Sequence, residues 1–235
     1  MTLGYEKHVL DEVIRVHNGN EMLWTLACFF VFAPVISALC NLEIWECFSY
    51  FTDWNMWLTM LHFLLMVKCY SSKVHHRTKP RWLALAHMTF ELAMITNIIM
   101  VVIYWTFLHQ ISLEKFKGNY WRTVHMYIVH SFPMLAIMTL WYANELRVCR
   151  SHWKILFVLS PVYALKNYYH FSLTGEVLYF FLNWDDYKTP MYFAMITFIA
   201  CIWFMIMAEL SYMVRPLHKP AFKIVKNATN KQKQK

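Results

Sequence analysis

Residues 22–41 read MLWTLACFFVFAPVISALCN, a run without one charged side chain. About 20 such residues, wound as a helix, match the hydrocarbon thickness of a bilayer. Inside lipid every backbone polar group must be satisfied within the segment, which favours a helix for a run of this length. The feature recurs. Spans are expected at about Met22–Asn41, Asp53–Tyr70, Leu83–Ile111, Tyr120–Asn144, Ile155–Tyr169 and Met191–Val214. The third is long enough to tilt; the fifth is short and carries Lys166 and Asn167. With 59% of its 235 residues apolar, the chain as a soluble domain would expose large apolar patches. The expected fold is an all-α membrane protein, a six-transmembrane-helix bundle over residues 22–214. A polar N-terminal segment (1–21) precedes it and a basic C-terminal tail (215–235) follows it. The first residues are polar and mixed in charge, so no cleavable signal peptide is expected.

The connecting segments sort charge by side. SSKVHHRTKPRW, ELRVCRSHWK and the tail from Arg215 are rich in Lys and Arg. NLEIWECFSYFTD and VLYFFLNWDDYK are acidic, and EKFKG is mixed. The two kinds alternate, so the positive-inside rule puts both termini on the basic face, cytoplasmic or matrix. The formal net charge of +8 is then chiefly a topology signal. Membrane lipids, anionic ones at the basic face, are the expected partners, and nucleic acid is not needed to explain the charge. Six cysteines form no CxxC pair and read as free thiols. No nucleotide loop, nucleophile elbow, zincin helix or dinucleotide fingerprint occurs, and no cofactor is expected.

Ionisable and strongly polar groups at membrane depth are costly, so each is a candidate. The second span begins with Thr52, Asp53 and Asn55, with His62 deeper. The third carries His87 and Glu91 four apart, hence on one face, and Asn97 beyond them. The fourth carries Arg122, His125 and His130; the sixth carries Glu209. The plain reading of each is a bundle-facing group with a hydrogen-bond partner. His125 and His130 are five apart, about 140° round the helix, a poor spacing for a metal pair. Haem between His62 and His130 is a weaker reading still, and no metal is expected. Pro133 removes an N–H, leaves the Val129 carbonyl without its helical partner, and favours a bend beside His130. The stretch RTVHMYIVHSFPM therefore reads as a cavity wall. Thr52 starts its helix at the acidic face. His125 and His130 lie about 8 and about 15 Å into the fourth helix from that face, at about 1.5 Å per residue. A threonine hydroxyl needs a base to become a nucleophile, and a neutral imidazole is the usual one. Spacing alone does not say whether they meet.

Three stretches carry a resemblance. YFTDWNMWLTMLHF is similar to the F-L-T start of a span, VYALKNYYHFSLTGEVLYFFL to a segment ending T-G-x-x-V-Y-P-F-L, and HMYIVHSFPM to N-H-x-x-H-T-x-x-x-x-P. From about residue 20 to 214 the chain resembles the FAR-17a/androgen-induced protein family of multi-pass membrane proteins. Some members hydrolyse fatty acid esters of hydroxy fatty acids with a threonine and a histidine. The resemblance puts Thr52 on the nucleophile and Thr174 and Gly175 in the second motif, where Phe180 stands in place of the proline. In the third motif the histidines are out of register. Aligned on Pro133, His125 takes the first histidine's place and Ile128 that of the catalytic one. Aligned on the histidine–hydroxyl pair, His130–Ser131 fits and the proline shifts. Val124 or Met126 falls where the family has asparagine.

Two functions follow as expectations. One is a lipid ester hydrolase with Thr52 as nucleophile, His130 (or His125) as base, and Asn55 or Asn97 as oxyanion donor. His62, His87, Glu91, Asn97, Pro133, Thr174 and Gly175 would line the substrate cavity together with Asn55. The other is a non-catalytic accessory subunit of a large membrane complex, such as a mitochondrial inner-membrane respiratory-chain assembly. Other subunits would then hold the tail. KQKQK at the end is similar to a dilysine endoplasmic-reticulum retrieval signal, so the address is the endoplasmic reticulum or the mitochondrial inner membrane. The Asn227 sequon, on the inner face, should stay unglycosylated.

Overall fold

A computed structural model describes residues 21–42, 46–71, 80–143 and 146–214. Residues 1–20, 43–45, most of the first basic loop (72–79), 144–145 and the tail with its lysines and sequon lie outside the described residues. All regular structure among the described residues is helical. The long helices are α1 (Glu21–Asn41), α2 (Phe51–Ser71), α3 (Pro80–Ile103), α5 (Tyr120–Ala143), α6 (Leu156–Thr174) and α7 (Lys188–Val214). After α3 the chain runs through a π-helical turn, Tyr104–Leu108, into the short α4 (His109–Lys115). A 3-10 turn, Arg150–Ile155, leads into α6.

Among the described residues four stretches are long and apolar enough to cross a bilayer: Met22–Asn41, Trp82–Lys115, Tyr120–Ala143 and Lys188–Val214. The chain is thus an all-helical protein of membrane-spanning type. α2 and α6, also counted as spans in the sequence, fall short of that measure. α2 carries Asp53, His62 and Lys68, and α6 is 19 residues with Lys166 and Asn167.

The helices bury polar groups among a mainly apolar core and turn large apolar side chains outward. Along α2 the buried groups Thr52, Asn55, Thr59 and His62 are spaced three or four apart, with Asp53 buried beside the first. Its exposed face carries Leu61, Leu64 and Val67. α7 shows Met195, Phe198, Ile199, Ile202 and Ile206 outward, and buries Ala200, Phe204, Met207, Ala208 and Ser211. In water this distribution would drive aggregation; against lipid tails the outer face costs nothing.

Packing pairs α1 with α5 and α2 with α3. Polar groups join the second pair. Asn55 Nδ2 donates to the Thr96 carbonyl (3.2 Å), Asn97 Nδ2 to Thr59 Oγ1 (2.9 Å), and Thr59 Oγ1 to the Asn55 carbonyl (2.7 Å). His62 Nδ1 lies 3.0 Å from the Ala86 carbonyl, to which it donates. The apolar core, with Met66, Phe90, Met94, Ile95, Ile137 and Phe204, fills the space between α2, α3, α5 and α7.

Gly175 ends α6 with φ of 68°, a left-handed cap that a residue with a Cβ adopts only with strain. Its N–H bonds the Phe171 carbonyl at 2.8 Å. Beyond this cap the chain turns back under the bundle. Trp184 Nε1 fastens it to Asn167 Oδ1 at 2.7 Å, and Tyr179 is delivered to the start of α2.

Candidate active site

Three segments distant in sequence meet where α2 begins. Thr52, in the first turn of α2, is 6% exposed, and His130, one turn before Pro133 in α5, is 5% exposed. Thr52 Oγ1 lies 3.1 Å from His130 Nε2. His130 Nδ1 lies 2.7 Å from the Met126 carbonyl, which can only accept, so Nδ1 carries the hydrogen. Nε2 then offers its lone pair, and the threonine hydroxyl is the donor. This is the arrangement a hydroxyl nucleophile and its base require: donor and acceptor in reach, and the base oriented by a third group.

Tyr104 covers the other face of the base. Its ring stacks on the His130 imidazole with centroids 3.7 Å apart and planes 17° from parallel. Tyr104 is the first residue of the π turn; widened turns of this kind redirect a helix locally and recur at functional sites. Tyr104 Oη pairs with Ser112 Oγ at 3.1 Å, which spans the turn and fixes the ring.

Tyr179 completes the cluster. Its hydroxyl lies beside Thr52 and accepts the Phe51 N–H at 2.9 Å. Burial holds the Tyr179 phenol above its ordinary range, so it stays a neutral O–H donor. The first N–H groups of a helix have no intrahelical acceptor. Here Asp53 and Trp54 give theirs to the Tyr50 carbonyl, and Phe51 gives its own to Tyr179.

Two cavities meet at the pair. A pocket of about 90 Å³ runs between α3, α6 and α7, lined by Ile99, Met100, Ile103, Leu159, Phe193 and Ile196 among others. A chamber of about 380 Å³ opens toward the acidic-loop end and includes Asp53, Ser112, Lys115, Arg122 and His125. Thr52, Tyr104, Leu108, His130 and Tyr179 belong to both walls. One arm is apolar, the other carries charge, and the hydroxyl–imidazole pair stands on the partition.

His125, the alternative base, is directed elsewhere. Its Nδ1 pairs with Ser37 Oγ of α1 at 3.0 Å, and it lines only the charged chamber. The remaining sequence candidates do not line either cavity. Asn55, His62 and Asn97 are held in α2–α3 hydrogen bonds, which also removes both asparagines as oxyanion donors. Pro133 is buried in α5, facing the bundle. Thr174 is exposed at the end of α6, its Oγ1 donating to the His170 carbonyl and accepting the Glu176 N–H. With Gly175 it shapes the turn that brings Tyr179 in. His87 and Glu91 sit at the opposite, basic-loop end.

Tyr104 and Tyr179 escaped the sequence reading. Tyrosines are common at the ends of spans, and no pattern marks a π turn. Tyr179 lay within the second of the three resembling stretches, and that was its one signal. No protein-family model, curated protein or solved structure matches the chain.

Proposed function

We propose that this protein is a membrane-embedded lipid ester hydrolase with Thr52 as nucleophile and His130 as general base. The observation that carries the reading is the 3.1 Å Thr52 Oγ1–His130 Nε2 bond, with Nδ1 pinned on the Met126 carbonyl. Its location between an apolar and a charged cavity gives the reading its substrate class.

In the proposed cycle His130 Nε2 takes the Thr52 hydroxyl proton as Oγ1 attacks the ester carbonyl. The negative charge that develops on the carbonyl oxygen meets the Tyr179 O–H, whose donor strength is raised by the Phe51 N–H it accepts. The intermediate collapses, the ester C–O bond breaks, and the leaving alkoxide receives the proton from His130. Water then attacks the acyl-threonine, giving a proton to His130. As that intermediate collapses, the proton returns to Thr52 Oγ1 and the carboxylic acid is released. The acyl chain lies in the apolar arm and continues between the helices into lipid. The hydroxy fatty acid half lies in the charged chamber, with its carboxylate toward Arg122 and Lys115. This matches the esters that the resemblance to the FAR-17a/androgen-induced protein family implies, and it favours the register in which His130 is the base.

The same proposal takes α2 and α6 as spans, making six, with both termini on the basic face of the endoplasmic reticulum or the mitochondrial inner membrane. The apolar outer faces of the two helices support this, Leu61, Leu64 and Val67 on one and Phe157, Val158, Val162 and Leu165 on the other. The accessory-subunit alternative draws on the tail, which lies outside the described residues.

A fluorophosphonate probe tests the chemistry. The wild-type protein in detergent should be labelled on Thr52, and labelling should vanish in His130→Ala. A wild-type protein that is neither labelled nor able to hydrolyse any long-chain ester would overturn the reading.

A further inference from the structure

At the basic-loop end of the bundle four side chains of metal-binding type converge: His87 and Glu91 of α3, Cys149 after α5, and His152 in the 3-10 turn. One donor atom from each lies within 4.8 Å of every other. The sequence offers two short pairs, His87-x3-Glu91 and Cys149-x2-His152. On α3 the spacing of four puts both donors on one face. Cys149 is extended and the turn that follows folds His152 over it, the His152 N–H bonding the Cys149 carbonyl at 3.0 Å. Both side chains are thereby aimed at α3. Existing contacts already gather these residues. His152 Nδ1 lies 2.6 Å from Glu91 Oε2, the Cys149 N–H bonds Glu91 Oε1, and His87 Nε2 donates to the Arg147 carbonyl at 2.6 Å.

We infer that His87, Glu91, Cys149 and His152 form a structural zinc site. Two imidazoles, a thiol and a carboxylate are zinc's donor set, and four protein ligands make the closed tetrahedral kind. With bonds of about 2.0–2.3 Å the donors of such a site lie about 3.3–3.8 Å apart, so the widest pairs have to close by about 1 Å, while His152 Nδ1 and Glu91 Oε2, now 2.6 Å apart, have to open by about 1 Å. Zinc would take the place of the His152–Glu91 hydrogen bond. Nitrogen and sulfur donors disfavour calcium and magnesium, which take oxygen. Charge balances as well. The thiol proton leaves to solvent on binding, and thiolate and carboxylate together offset the dication. His87 is 0% exposed and Glu91 1%, so a neutral site is what this depth tolerates. Glu91 and Tyr104 are thirteen residues apart on one helical run, about 20 Å. The zinc site is therefore separate from the Thr52–His130 pair and ties α3 to the α5–α6 connection.

The test uses the full chain, purified in detergent without a polyhistidine tag, stripped with chelator and titrated with cobalt(II) and zinc(II). Wild type should bind one cobalt per chain, with the visible bands of a tetrahedral ion and a thiolate-to-cobalt charge-transfer band, both removed by one equivalent of zinc. Cys149→Ser should lose the charge-transfer band, and Cys149→Ser with His152→Ala should lose stoichiometric binding. His170→Ala, a histidine paired with Glu176 outside the cluster, should bind as wild type does. Wild-type protein without the tetrahedral thiolate spectrum, a measurement that needs no variant to fold, would overturn the assignment. So would an unchanged spectrum in the double variant.

Discussion

Thr52→Val is the most informative single change, because valine keeps the volume and shape of threonine and deletes only the hydroxyl. Two effects follow, and they differ greatly in size. The first is on stability. His130 Nε2 is buried and loses its donor, and a buried acceptor left unpaired costs about 1–3 kcal/mol. For a protein of this length each kcal/mol lowers Tm by roughly 2–4 °C, so a fall of about 2–12 °C is expected in a detergent melt. The second effect is on chemistry. Without Oγ1 there is nothing to acylate, and hydrolysis of a long-chain ester should drop by about 10³-fold or more, in kcat and kcat/KM alike. Thr52→Ser keeps the hydroxyl and removes one buried methyl, about 0.5–1.5 kcal/mol, so its Tm should fall by roughly 1–6 °C while it retains measurable turnover and probe labelling. The assay is release of free fatty acid from a branched ester in mixed micelles, run beside the melt on the same preparations. Turnover within tenfold of wild type in a folded Thr52→Val protein would refute the nucleophile assignment, whatever the melt showed.

Further outcomes separate the neighbours of that pair. His130→Ala should match Thr52→Val in activity, whereas His125→Ala, which loses a bond to Ser37, should keep activity within about tenfold; the reverse order in the ester assay would move the base to His125. Tyr179→Phe should lower kcat about 10²–10³-fold with KM little changed, as loss of one oxyanion donor does. Because burial holds the Tyr179 phenol above its ordinary value of about 10, wild-type kcat should show no alkaline fall from this group below about pH 10. Tyr104→Ala, which uncovers the imidazole face, should lower kcat more than Tyr104→Phe, since stacking does not need the hydroxyl. In sealed vesicles, epitopes placed at the two ends of the chain should be equally accessible to protease; opposite accessibility would remove the even number of spans.

The apolar runs and the alternation of basic and acidic loops determined that this chain is helical and membrane-bound, because the bilayer imposes a length and a hydropathy that a sequence displays directly. The sequence also nominated Thr52 and His130, since a hydroxyl and an imidazole at membrane depth are conspicuous. It could not pair them. Residues 78 positions apart meet only through the packing of α2 against α5. The choice between His125 and His130 rested on which face of α5 turns toward α2, and Ser37 of α1 turned out to hold the other histidine. Asn55 and Asn97 looked like catalytic amides because polarity at depth is equally conspicuous whether it serves chemistry or helix–helix hydrogen bonds. Tertiary structure assigned them to the latter. It alone supplied Tyr104 through a π turn, Tyr179 through the glycine-capped return after α6, and the four-donor cluster through a loop 58 residues beyond Glu91. In each case the deciding quantity is a distance between segments remote in sequence, set by how the helices pack rather than by any local pattern.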